Sequence, residues 1–336
     1  MPVWKACPQQ GDVPISRSSH TIACVNNNET CVVFGGEHVP REPVKNDIYL
    51  YDMSTGVWKK IVSSTAPSER LGHAAVSTSS TTMILHGGRS QVNESSTLGD
   101  LYSFDVPTGS WHLKQPTGKV PASRNYHASC TTGNDTLYIF GGCGNDGRLA
   151  DLWRYDVRSG MWDELCPSTM AGRGGAGLVA VSDTELYVVG GFTGSESGDI
   201  YRFDIAQNQW EALEIKQPPE DKAHGRSFTP RSVFGKATHA SPSCCAHSGH
   251  VIIFGGEVDP SDQGHAGAGL FDNTTFCLDT KARAWDVLTG DTAAGPSPRG
   301  WAASCGCDQG ILVHGGIDAT NTRLDDFFIL DMHASN

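Results

Sequence analysis

The stretch GGEVDPSDQGHAGAG, residues 255 to 269, sets Glu257, Asp259, Asp262 and His265 within nine residues. Carboxylate oxygens and an imidazole nitrogen are donors that suit a divalent ion such as iron(II) or manganese, with positions left open for the sulfur or oxygen of a substrate. The same residues would serve equally as a solvated acidic loop.

A second constellation recurs along the chain. The phrases PISRSSH, PSERLGH, PASRNYH, MAGRGGA, TPRSVF and SPRGWA carry Arg17, Arg70, Arg124, Arg173, Arg231 and Arg299 at one repeated position. A planar guanidinium fork matches a carboxylate, phosphate or sulfate. If the strands that follow these arginines start at one rim, the six would ring a channel mouth and make a positive funnel in a chain of net charge −12. The alternative is that each arginine ties neighbouring elements together by pairing with carboxylates or backbone carbonyls. His20, His73 and His127 share one position three residues further on and are expected to be structural, while Ala176, Phe234 and Ala302 stand where the repeat drops histidine.

Both constellations depend on a larger unit. Six diglycines begin at residues 35, 87, 141, 190, 255 and 315, at separations of 52, 54, 49, 65 and 60 residues. Each follows a β-rich apolar run and precedes a polar loop and an aromatic run ending in aspartate, and in the first five units a short turn, such as STG, PTG or RSG, and a tryptophan come next. A period of this length suits four-stranded blades stacked radially, because one such sheet cannot bury both faces alone. The expected fold is all-β, a six-bladed propeller in one domain over 1–336, with blades at about 14–62, 67–114, 121–166, 171–214, 230–289 and 298–332. Trp58, Trp111, Trp162, Trp210 and Trp285 close the first five units, whereas the sixth has no tryptophan of its own. Residues 2–7, in which VWKAC with Trp4 echoes VWKKI of the first unit, are expected to supply the missing outer strand and so join the two ends. No segment holds a helical apolar period for long, and IKQPPEDKAHGRSFTP at 215–230 reads as a loop.

Composition narrows the function classes. Thirty-eight per cent hydrophobic residues and 39 glycines describe a folded chain with many turns. The acidic balance argues against a general nucleic-acid binder. No run approaches the length of a membrane span, and the opening MPVWKACPQQGD lacks a signal-peptide layout, so the expectation is no membrane association and a location in the cytoplasm or the nucleus. Eleven cysteines without framework spacing fit free thiols.

The repeated unit resembles the kelch family. Within it, AGRGGAGL, PRSVFG, VIIFGGEVDP, HAGAGLFDNTTFCLDT, PSPRGWAAS, LVHGG and NTRLDDFFIL resemble the plant specifier proteins, over nearly the whole chain. That resemblance implies an iron(II)-dependent, non-redox lyase or rearrangement chemistry on an unstable sulfated aglycone. It implies that Arg89 and Arg173 hold the sulfate, that Tyr126 takes the place of an aromatic wall and that Trp301 lines the pocket. The other repeated arginines and Phe234 are further candidate lining residues. The family's Glu-x3-Asp-x3-His run places Glu257 and His265 at its ends but meets Ser261 in the middle, so Asp262, or Asp259 in its stead, would have to complete the metal site. Beside an anionic small molecule stands the common alternative for kelch propellers, a protein partner held by the loops of one face without catalysis.

Overall fold

The structure is a computed structural model that describes residues 2–25, 29–90, 97–133, 135–216, 245–247, 249–259, 269–289 and 295–333. Its described strands form six sheets of antiparallel meanders arranged as propeller blades, besides a two-stranded hairpin of Glu37–Val39 and Glu42–Pro43. In the second blade the strands run from the channel outward as Ala74–Ser77, Thr82–Arg89, Thr97–Asp105 and Ser110–Lys114. The third, fourth and fifth repeat this meander, and the first adds the short strand Gln10–Gly11 beside Val57–Ile61. In the sixth blade the chain itself contributes Ala303–Cys307, Gly310–Ile317 and Arg323–Asp331, and Val3–Ala6 from the amino terminus pairs with the last of these. The N-terminal strand therefore closes the ring, as the missing tryptophan predicts.

The recurring aspartate and tryptophan have local physical causes. Asp52, Asp105, Asp156, Asp204 and Asp279 end the third strands, and each accepts hydrogen bonds from backbone N–H groups two or three residues on, which bends the chain into the turn. The turn sets the register, placing Tyr51 opposite Trp58, Phe104 opposite Trp111, Tyr155 opposite Trp162 and Phe203 opposite Trp210. In the sixth blade Trp4 takes this place opposite Leu330.

The tryptophans also join blades. Trp111 packs on Phe34, Trp162 on His86, Trp210 on Phe140 and Trp58 on His314, in each case the residue just before the preceding blade's diglycine. Trp4 does the same to Phe254 at 4.9 Å, and its indole N–H donates to Thr275 Oγ1 at 3.2 Å. The apolar clusters accordingly lie between sheets, such as that joining Ile22, Cys31, Val33 and Trp58 to Leu312 and Phe327 across the closure. Inter-sheet burial of this kind is what stabilises a propeller, since no blade has a core of its own.

Candidate functional site at the channel mouth

The repeated arginines are clasps. Arg70 is fully buried, donates from Nε to Ser68 O and from Nη1 to Gly87 O, and forks onto Asp100 at 2.6 and 3.0 Å. Arg124 does the same with Gly141 O and Asp151, Arg173 with Gly190 O and Asp199, and Arg299 with Gly315 O and Asp326. Arg17 keeps the backbone contacts, to Ile15 O and Gly35 O, but lies over the Tyr49 ring in place of a carboxylate fork, and burial draws its pKa down to about 10.

Each arginine's own carbonyl accepts the N–H of the second glycine of the preceding blade. Gly36 donates to Arg70, Gly88 to Arg124, Gly142 to Arg173 and Gly256 to Arg299, and Gly316 returns to Arg17 to close the circle. The expected positive funnel of Arg17, Arg70, Arg124, Arg173 and Arg299 is therefore corrected. These five are 0–1% exposed and turned into the wall, where aspartates or backbone oxygens take their donors. The tie reading describes them, and Arg173 is 1% exposed with Nε, Nη1 and Nη2 donating to Ala171 O, Gly190 O and Asp199. Arg231 and Phe234 lie outside the described residues.

The mouth itself is built from the two positions that follow. Ser19, Gly72, Tyr126, Gly175 and Trp301, two residues after each arginine, all adopt left-handed backbone with φ of 50–63°. Their peptides are chained around the channel, with Ser19 N donating to Trp301 O, Gly72 N to Ser19 O, Tyr126 N to Gly72 O and Gly175 N to Tyr126 O. Bulky residues seldom take this conformation, and it concentrates at functional sites. The residue after each diglycine bridges back to the same rim, through Ser18 and Glu37, Leu71 and Arg89, Asn125 and Cys143, Gly174 and Phe192, and Gly300 and Ile317. Glu257 holds the corresponding place in the fifth blade and is 3% exposed.

Charge at this rim is unevenly compensated. Glu37 accepts from Arg323 Nη2 at 3.2 Å, from Ser18 Oγ and from the Arg41 amide, so the buried Glu37 and Arg323 neutralise one another. Arg89 is also buried, at 5% exposure, yet no carboxylate among the described residues pairs with it, and its Nε and Nη2 have no hydrogen-bond partner. Those two atoms form one edge of the guanidinium, the edge that grips an oxyanion through two parallel bonds. The Arg89 guanidinium lies over the Tyr126 ring at 5.6 Å, and that ring covers Gly72, where an added Cβ would stand 3.2 Å from it. Burial, then the proximity of Glu37, raises the Tyr126 hydroxyl to about 12, so it stays protonated. On the other side Trp301 packs against Phe271 and Ile317.

Below the mouth the channel is lined by His20, His73 and His127 around a cavity of about 100 Å³. Their Nε2 atoms face His314 Nδ1, Thr21 Oγ1 and His86 Nδ1 at 2.8–3.0 Å. Burial, reinforced by neighbouring arginines, pushes His73, His86 and His314 down to about 3, so these are neutral structural imidazoles.

Of the expected metal ligands, Glu257 alone has its side chain described. Asp262 and His265 lie outside the described residues, as does the side chain of Asp259, and no group of three potential ligands occurs among those described. Sequence reading missed the Glu37–Arg323 pair, the histidines 86 and 314, and the four aspartate partners of the arginines. The aspartates had a signal, since GDLYSF, ADLWRY, GDIYRF and DDFFIL repeat an acid 26–30 residues after the arginine.

Among the described residues, arginine clasps ring the channel of a six-bladed β-propeller, and the buried Arg89 at its mouth has no carboxylate partner. The chain belongs to the kelch-repeat family. The family described as "KLHDC2/KLHL20/DRC7 Kelch-repeats domain" matches residues 19–238. The chain is 30% identical to N-(sulfonatooxy)prop-2-enimidothioate sulfolyase of Thlaspi arvense, over 99% of this chain and 97% of that protein, which agrees with the specifier-like motifs. It is 28% identical to Kelch domain-containing protein 2 of Bos taurus over 75% of this chain and 64% of that one. The solved structure of YjhT shares the fold at a TM-score of 0.69 and 14% identity, covering 94% of this chain and 95% of that one.

Proposed function

We propose that the mouth binds an oxyanionic small molecule, of the sulfated imidothioate class named for the Thlaspi arvense relative, and acts as a sulfolyase of the specifier type. The observation that carries this reading is the buried Arg89 with its Nε–Nη2 edge unpartnered. A buried guanidinium without a counter-charge is costly by itself, and a bound sulfate would supply the missing acceptors. Tyr126 holds the guanidinium plane from one side, and Trp301 with Phe271 offers an apolar wall for the remainder of the ligand. As sulfate departs, negative charge grows on its oxygens, and a fixed guanidinium stabilises that charge without reorganising.

Glu257, with Asp262 or Asp259 and His265, has the donor chemistry to hold iron(II), which when bound would act as a Lewis acid toward the substrate sulfur. Titration with an alkyl sulfate ester and with inorganic sulfate tests the anion site. Arg89→Ala should weaken binding at least about tenfold, the loss expected for a charge-assisted bidentate pair, and unchanged affinity would refute the assignment. Anaerobic iron(II) titration of the wild type and His265→Ala tests the metal separately, and equal weak affinity in both would remove it. A protein partner held by the loops of one face is the second reading, favoured by the similarity to Kelch domain-containing protein 2.

A further inference from the structure

Three cysteine sulfurs meet where the first and sixth blades join. Cys24 Sγ lies 3.3 Å from Cys305 Sγ and 3.5 Å from Cys31 Sγ, and the Cys31 thiol donates to Met53 Sδ at 3.3 Å. Cys24 and Cys31 are cross-strand partners within one sheet, whereas Cys305 arrives from another sheet, 281 residues along the chain. Cys24 and Cys305 both border a second cavity of about 280 Å³ toward the far end of the channel from Arg89. That cavity is the route by which a small oxidant would approach the pair, Cys24 being 7% exposed. The nine cysteines whose side chains are described, these three included, are free thiols.

We propose that Cys24 and Cys305 are a peroxide-oxidisable pair whose disulfide links the first blade to the last. Cys24 is the attacking sulfur. The hydrogen bond from Cys305 draws its thiol well below the ordinary range, while the contacts with Cys24 and then Cys31 hold Cys305 above it. The Cys24 thiolate attacks one oxygen of hydrogen peroxide, the O–O bond breaks, and the departing hydroxide takes a proton to become water. Cys305, giving up its proton, then attacks the sulfenic acid sulfur of Cys24, and the S–O bond breaks to release a second water. The two thiols lose two electrons together and the peroxide gains them. The sulfurs must close from 3.3 Å to about 2.05 Å. Cys305 is the nearer of the two neighbours, and the Cys31 thiol is turned to Met53.

Without this bond the ring is closed non-covalently, by Val3–Ala6 on Arg323–Asp331. With it, residues 24 to 305 form a covalent loop that stays shut when the N-terminal strand detaches.

The test is hydrogen peroxide treatment of the full chain, alkylation of remaining thiols and peptide mapping by mass spectrometry. A peptide joining Cys24 to Cys305 is expected, with unfolding in urea slowed by about tenfold or more and restored by dithiothreitol. Cys305→Ser should abolish both effects. Sulfinic acid at Cys24, a Cys24–Cys31 link, or an alkylatable Cys305 after treatment would overturn the proposal. The mapping uses the unmutated chain, so the cross-link is detected or missed there even if the Cys305→Ser variant fails to fold.

Discussion

Arg70 and Asp100 meet through two parallel hydrogen bonds, Nη1 to Oδ1 at 2.6 Å and Nη2 to Oδ2 at 3.0 Å, with the arginine side chain fully buried and the carboxylate 30% exposed. The asymmetry decides which half matters more. Asp100→Asn leaves a charged guanidinium short of its counter-charge inside the wall, and should destabilise the protein by about 2–4 kcal/mol after discounting for the solvent that reaches the pair. Arg70→Lys should not rescue Arg70→Ala, because an ammonium cannot serve Ser68 O, Gly87 O and Asp100 together. Urea unfolding of the three variants checks this.

Stability should fall in two stages as the medium is acidified. His73, His86 and His314 bind protons in the unfolded chain near 6.5 but only near 3 when folded, so their contribution is complete above about pH 6.5 and is lost progressively toward pH 3. Asp151 and Asp199 add a later loss. Burial alone would raise both, but the hydrogen bonds from Arg124 and Arg173 outweigh it and leave them below the usual carboxylate range, so their contribution is present above about pH 4 and disappears as pH falls through the folded values. Urea midpoints measured between pH 7 and pH 3 should decline throughout, and His86→Asn should flatten the upper part of that slope.

Arg89→Ala should leave the unfolding midpoint within about 0.5–1 kcal/mol of wild type, since the substitution removes a buried charge whose Nε and Nη2 make no hydrogen bond. Arg124→Ala should destabilise strongly. Paired measurements of sulfate-ester affinity and urea stability would separate the two arginines, affinity following Arg89 and stability following Arg124.

Gly142→Ala should be among the most damaging single-methyl changes. The glycine sits at φ +95°, and a Cβ would stand 2.7 Å from both the Asn125 carbonyl and the His127 Cβ. Relief requires moving backbone in the interblade clasp, at a cost of about 3 kcal/mol or more, measurable as a lowered thermal midpoint.

Trp4→Ala removes a side chain that is 4% exposed, its bond to Thr275 and its packing on Phe254. A loss of about 3–5 kcal/mol is expected. Limited proteolysis should show cleavage appearing first in the sixth blade, whose outer strand would then be weakly held.

The fold was legible because its signals repeat: the diglycines, the turn aspartates and the tryptophans each mark one register position, and even the absence of a sixth tryptophan pointed to Trp4. The site was less so. Six arginines at one position look alike in sequence, but the wall partner that holds a guanidinium comes from another strand, an aspartate 26–30 residues on for Arg70, Arg124, Arg173 and Arg299 and the Tyr49 ring for Arg17. Arg89 lies outside that pattern and emerged from family resemblance; its distinction, the missing partner, is a property of packing. The sulfur cluster was invisible because Cys24 and Cys305 are brought together only when the ring closes.

Each clasp takes its donor from one diglycine and its acceptor from the arginine of the following blade. The unit that coheres is consequently out of phase with the sheet: a single excised blade would carry two halves of different joints and a complete one of neither. Opening the chain at an outer turn, such as residues 107–109, and joining the old termini would spare every joint. A split between blades, near Pro121, would oblige two fragments to rebuild two, Gly88 to Arg124 and Gly316 to Arg17. The position at which this ring is cut, more than the number of blades on either side, should therefore govern whether its pieces reassemble.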